Sequence, residues 1–191
     1  HRHLEAYYGI GGAGYVCHTI NPRLFADQIV FIINHADDRW IFTDPMFVPL
    51  LEKIADKTPG VGGYVVLTDD EHMPKTSLAN AVSYEALIAD ESEEYEWPQL
   101  DENDAVALCY TSGTTGDPKG VLYSHRSTVL HAYAAVAPDV LNLSNRDCVL
   151  PVVPLFHVNA WGIPYSALMV GAKLVFPGNR MGDGETLYEL M

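Results

Sequence analysis

Apolar positions along the chain recur at two spacings that alternate from the start. Leu4 to Tyr8 carries a helical pattern closed by the glycines at 9, 11, 12 and 14, and Tyr15 to Ile20, rich in apolar and β-branched residues, predicts a strand. Asn21-Pro22 marks a turn, after which Phe25, Ile29, Ile32 and Ile33 fall at helical spacing over Leu24 to Ala36. Arg39 to Thr43 predicts a short strand. Asp44-Pro45 offers an N-cap followed by proline at the first helical position, so a helix is expected from Pro45 to about Lys57, and a further strand from Tyr64 to Thr68. Ala105 to Tyr110 is a continuous apolar run of the kind a central parallel strand needs, and Lys173 to Phe176 predicts another strand. Strands separated by helices of about a dozen residues give the expected fold class, α/β: a three-layer unit with a mainly parallel sheet flanked by helices.

The pattern breaks between Asp69 and Asp104, where 12 of the 25 acidic residues face the single base Lys75 and only Ser83 to Ala89 looks helical. Such a charge run predicts a solvated surface excursion over 69–104, with an acidic docking surface as the rival. Over the whole chain the 11 basic and 25 acidic residues leave a net charge of −14, which excludes a general nucleic-acid binder. An apolar fraction of 48% supplies a real core and excludes a disordered acidic chain. The length, 191 residues, fits one domain or a large piece of one, and the opening His1-Arg2-His3-Leu4-Glu5 has neither a secretory pattern nor an initiator Met, so an excerpt of a longer protein is expected.

Cys17, Cys109 and Cys148 form neither a C-x-x-C pair nor an even set, and buried free thiols in a reducing cytosol are expected. The uncharged stretch from Cys148 to Ala172 is long enough on paper to cross a bilayer. Pro151, Pro154 and Pro164, with Asn159 and Gly162, instead divide it into buried strand, loop and helix.

Gly9, Gly11 and Gly14 satisfy G-x-G-x-x-G, yet a dinucleotide fingerprint needs a strand before the glycines and a helix after them. Here the order is reversed, so a helix exit packed closely on the next strand is the expected role. More informative is Tyr110-Thr111-Ser112-Gly113-Thr114-Thr115-Gly116-Asp117-Pro118-Lys119-Gly120. Glycines that let backbone N–H groups approach anionic oxygens, hydroxyl donors and one lysine, directly after a buried strand, predict an exposed, mobile phosphate-binding loop at the strand's carboxyl end. The string does not fit a Walker A loop, and the residues flanking Ser112 do not fit a hydrolase G-x-S-x-G. The histidines His1, His3, His18, His35, His72, His125 and His131 show no ligand spacing, so no zinc site is expected.

At this string the chain resembles the adenylate-forming superfamily of acyl-CoA synthetases, luciferases and adenylation domains. Gly14 to Ile33, Val121 to Arg126 and Val152-Val153-Pro154-Leu155-Phe156-His157-Val158-Asn159-Ala160-Trp161-Gly162 are most similar to its fatty-acyl-CoA synthetases. The resemblance covers essentially all of residues 1–191 and implies part of the large N-terminal, AMP-binding domain, with the C-terminal domain and the later motifs missing from this stretch. It implies ATP, Mg²⁺ and coenzyme A as cofactors or co-substrates of a ligase of lipid metabolism. It also implies roles: Thr111 as a Mg²⁺ ligand; Ser112, Gly113, Thr114, Thr115, Gly116 and Lys119 around the phosphates; His157 beside the carboxylate and acyl pocket; Trp161 as the acyl gate; Val158 and Trp161 near the nucleotide. Thr111, Lys119 and His157 are thereby the expected catalytic residues.

The implied activity is ATP-dependent conversion of a medium- or long-chain fatty acid, through an acyl-adenylate, to its CoA thioester, with the excerpt alone inactive. A ligase for a short or sulfur-containing acid of the methylmercaptopropionate type, or for an aryl acid, is the alternative within that chemistry. A non-catalytic nucleotide-binding module is the alternative outside it. The expected partners are a small carboxylic acid, ATP and CoA in the cytoplasm, with no nucleic acid and no transmembrane segment; peripheral membrane contact and a homodimer stay open.

Overall fold

The computed structural model describes residues 1–111 and 118–191. Its strands are divided among three sheets, with orders β1-β5-β6, β2-β3-β4 and β7-β8. They comprise β1 (Cys17–Thr19), β2 (Trp40–Thr43), β3 (Gly63–Val66), β4 (Ala81–Ser83), β5 (Ala105–Thr111), β6 (Lys119–Ser124), β7 (Cys148–Val149) and β8 (Lys173–Leu174). All pairings are parallel except β5 with β6. The expected α/β class with helices on mainly parallel sheets therefore holds, but the strands do not form one continuous sheet. Ala105–Thr111 is central in its sheet, as its apolar run requires.

Helix α1 (Arg2–Gly12) runs through the glycines that were expected to close it. Its glycines serve packing: a Cβ on Gly11 would lie 2.7 Å from Val106 Cγ2, and one on Gly12 would lie 2.5 Å from the Trp97 ring. The chain turns only at Gly14, where φ is +85°. Helix α2 (Ala26–Ala36) buries Ile29, Ile32 and Ile33, as their spacing demands. The predicted helix from Pro45 breaks into a 3₁₀ turn (Pro45–Phe47), the short helix α3 (Val48–Glu52) and a second 3₁₀ turn (Ala55–Lys57), with Val48, Leu51 and Ile54 still pointing inward. These side chains pack with Ile29, Ile33, Tyr64, Val66 and Leu78 into one apolar cluster over the second sheet.

The surface-excursion reading of 69–104 needs correction in its first part. Ala81–Ser83 adds a parallel strand beside β3, and Leu78, Ser83 and Tyr84 are buried. Ser83 also caps helix α4 (Tyr84–Ile88), its hydroxyl accepting from the Ala86 N–H at 3.1 Å. Tyr84 donates to Glu5 at 2.9 Å and Glu85 pairs with Arg2 at 2.6 Å, tying α4 to α1. Only 86–104 is exposed throughout. A second correction concerns the thiols: Cys17 and Cys109 are buried, but Cys148 is exposed. The uncharged stretch from Cys148 does form strand, loop and helix (Ile163–Val170), though Val152, Leu168 and Met169 face outward, contrary to the expected burial. Among the described residues no helix is long and apolar enough to cross a membrane.

Candidate active site

Strand β5 delivers Thr111 to the edge of the candidate site, and β6 begins at Lys119, directly opposite it in register. The Thr111 hydroxyl donates to the Lys119 carbonyl at 3.4 Å, and both residues are exposed. The two ends of the candidate phosphate loop are thus held together by the first rung of an antiparallel hairpin. Ser112, Gly113, Thr114, Thr115 and Gly116 lie outside the described residues, as does the expected mobility of the loop. Among the described residues no group of three or more His, Cys, Asp or Glu side chains could hold a metal ion. A single hydroxyl at a strand end suits Mg²⁺ that arrives on a triphosphate, since that ion keeps most of its shell as phosphate oxygen and water.

The second part of the site is the segment from Pro154 to Gly162. Val158, Asn159, Ala160 and Trp161 have φ of 49°, 49°, 47° and 59°, and Gly162 follows at 71°. The segment is therefore a left-handed turn. Each L-residue in that conformation costs roughly 1–2 kcal/mol, so the turn needs contacts that over-determine it. They come from Asn159 and Ala160, which are buried, whereas His157, Val158 and Trp161 point outward, Trp161 with 64% of its surface exposed. An indole so placed is not part of the core, one of the two roles its apolar setting allowed.

A buried polar cluster anchors the turn. The Tyr7 hydroxyl donates to the Leu155 carbonyl at 2.7 Å and lies 3.2 Å from Asn159 Oδ1, which also takes the Cys109 thiol at 3.4 Å. Thr19 donates to the Phe156 carbonyl at 3.4 Å, and its Oγ1 lies 3.4 Å from Cys109 Sγ. Burial pushes the Tyr7 phenol far above its ordinary value, so it remains a donor at any ordinary pH, and burial beside Cys109 pushes the Cys17 thiol up to about 12. Gly162 fits close to helix α5 (His125–Val136), where a Cβ would lie 2.8 Å from His131 Nδ1.

The geometry brings the His157–Trp161 turn to β5 through Cys109, which lies two residues before Thr111 and hence about 7 Å along the strand. Among the described residues no hydrogen bond joins Thr111 or Lys119 to His157 or Trp161. Sequence reasoning noted Asn159 only as a breaker of an apolar run and placed Tyr7 and Cys109 by pattern alone. A lone carboxamide inside an uncharged stretch was the available signal that a buried polar partner existed elsewhere.

The paired residues Thr111 and Lys119 and the strained turn presenting His157 and Trp161 thus stand on one α/β scaffold. Residues 1–191 match the family model of the AMP-binding enzymes. The chain belongs to that family. It is 55% identical over 190 residues to a medium-chain-fatty-acid–CoA ligase of Ectopseudomonas oleovorans, and 52% identical over 190 residues to a 3-methylmercaptopropionyl-CoA ligase of Ruegeria lacuscaerulensis. Each comparison takes in 100% of this chain but 35% of the relative, so the chain spans about a third of their length. Among solved structures, an anthranilate CoA ligase in complex with anthranoyl-AMP superimposes with a TM-score of 0.74 at 27% identity, over 91% of this chain and 32% of that one.

Proposed function

We propose that the full-length protein is an AMP-forming acyl-CoA ligase whose substrate is a medium- or long-chain fatty acid. The observation that carries this reading is the pairing of Thr111 with Lys119 at the mouth of the hydroxyl- and glycine-rich loop, on the same strand to which the His157–Trp161 turn is anchored. In the first step a carboxylate oxygen of the acid attacks the α-phosphorus of ATP and pyrophosphate leaves. In the second, the thiol sulfur of CoA attacks the acyl carbonyl, the thiol proton is lost and AMP leaves. Mg²⁺ would enter with ATP and neutralise phosphate charge. Thr111 would offer it a hydroxyl, Lys119 would place a positive charge beside the phosphates, and both would act where charge builds during phosphoryl transfer. His157 would sit by the acid carboxylate, and Trp161 would separate the nucleotide from the acyl chain. Buried free thiols at Cys17 and Cys109 suit a cytoplasmic location.

The test is a panel of acids supplied with ATP and CoA, with AMP release read for the full-length protein. Straight-chain fatty acids are expected to give the highest kcat/KM. The identity to the methylmercaptopropionyl ligase, within three points of that to the fatty-acid ligase, supports a second reading. A preference for methylmercaptopropionate would establish it. Absence of AMP release with every acid would leave a non-catalytic nucleotide-binding module.

A further inference from the structure

The other face of β5 carries a cluster for which the proposed chemistry assigns no role. Tyr110 precedes Thr111, and its hydroxyl is hydrogen-bonded to His35 Nδ1 at 2.6 Å. Its ring stands edge-on to His35 at 5.9 Å between centroids and lies tilted over His18 at 5.2 Å. Across the hairpin it covers Gly120, where an added Cβ would come within 3.2 Å of Tyr110 Cζ. A larger residue there would make the Tyr110 ring, and Leu108 Cδ1 at the same 3.2 Å, give way by a few tenths of an ångström.

Both histidines are themselves fixed. His18 Nδ1 donates to the Asp38 carboxylate at 2.8 and 2.9 Å, with the imidazole 6% and the carboxylate 13% exposed, while the buried Nε2 has no partner among the described residues. That double contact to one carboxylate fixes the orientation of the imidazole. His35 stacks on Phe31 in the last turns of α2. Asp37, with φ of 58°, then reverses the chain and brings Asp38 to His18. Burial and the Asp38 charge together raise the Tyr110 phenol above its ordinary value, which keeps the hydroxyl protonated beside His35.

We propose that His35, His18 and Asp38 are positioning residues that clamp the Tyr110 ring against Gly120, so that Thr111 and Lys119 meet the phosphates of a nucleoside triphosphate at a fixed separation. The inference rests on the assignment of Tyr110 to Gly120 as a phosphate loop. It assigns α2, an element remote in sequence from the loop, a part in nucleotide affinity.

The experiment uses the full-length protein with Tyr110→Phe, His35→Ala, the double variant and His35→Asn, whose carboxamide can restore a hydrogen-bond partner for the hydroxyl. Equilibrium binding of Mg-ATP, melting temperature, acid-dependent pyrophosphate release, and thioester formation from preformed acyl-adenylate are measured on each. Either single variant should weaken ATP binding about 3- to 10-fold, the worth of one hydrogen bond. The double variant should be no weaker than the worse single, and His35→Asn should recover most of the loss. Melting temperature and thioester formation should hardly move. Single effects that multiply, an unchanged ATP affinity, or equal loss in both half-reactions with a lowered melting temperature would each overturn the proposal. Because His35 is exposed, its variants fold independently of any effect on the core. Coupled loss of ATP binding in a protein that releases pyrophosphate with no acid would overturn the ligase reading and leave the clamp standing. A wild-type protein that does not bind ATP would overturn both.

Discussion

Around β3 the interior is dominated by one apolar cluster: Ile29, Ile33, Val48, Leu51, Ile54, Tyr64, Val66 and Leu78 interlock over the second sheet, with the buried hydroxyls of Thr43, Thr58, Thr68 and Ser83 beside them. Around β5 it is not. There Tyr7, Thr19, Cys109 and Asn159 share buried hydrogen bonds, and a run of left-handed residues is held by them. The first region is stabilised mainly by area removed from water, which tolerates apolar side chains of suitable size. The second depends on direction, since a buried donor or acceptor left without its partner costs more than the bond contributed. That difference separates scaffold from site: apolar packing fixes where the sheets lie, and polar contacts fix which way the His157–Trp161 turn points.

The largest expected effect lies in the scaffold. Ile33→Ala should lower the unfolding free energy by about 2–5 kcal/mol in urea titration, with activity per folded molecule retained. A loss of activity per folded molecule would erase the distinction between the two regions. Next, Lys119→Ala and Thr111→Ala should cost about 2–4 kcal/mol in the transition state for adenylate formation, while leaving thioester formation from preformed adenylate much less affected. Equal damage to both half-reactions would remove these residues from the triphosphate.

Asn159→Ala sharpens the comparison from the other side. It should destabilise by about 1 kcal/mol through the lost bonds to Tyr7 and Cys109, which keep Leu155 and Thr19 as partners, and it should also impair turnover, because the strained turn loses an anchor. A stability loss without a kinetic one would make the cluster ordinary core. The same cluster predicts alkaline lability. Cys17 is raised from 9.0 to about 12 when folded, and Tyr7 is raised likewise, so the folded state disfavours both anions. Stability should be level below about pH 9 and fall as pH rises toward 12, by up to about 1.4 kcal/mol per pH unit for each group. Melting temperatures recorded from pH 7 to 11 would show it, and Cys17→Ala should reduce the slope. Smallest in stability is Trp161→Ala: with its indole exposed, melting temperature should hardly change, while kcat/KM should vary with acid length by up to roughly 1 kcal/mol per methylene. Uniform loss across acids would show that Trp161 does not gate the chain.

The amino-acid sequence by itself determined the alternation of helix and strand, the central place of Ala105–Thr111 and the inward face of α2. Those features follow from local periodicity and from apolar burial, which every residue carries in its own side chain. It also marked the string from Tyr110 to Gly120 as a candidate phosphate site, because glycines, hydroxyls and a lysine so close together suggest that chemistry without reference to the rest of the chain. The structure decided what depends on pairs distant along the chain: that Ala81–Ser83 joins a sheet from within an acidic stretch, that α1 continues through its glycines because Val106 and Trp97 press against them, that Cys148 is exposed, and that Asn159 turns inward to Tyr7 and Cys109. Periodicity says which residues leave water. Only the tertiary fold says which polar partner each buried donor will meet, and on that choice the direction of the candidate site's turn depends.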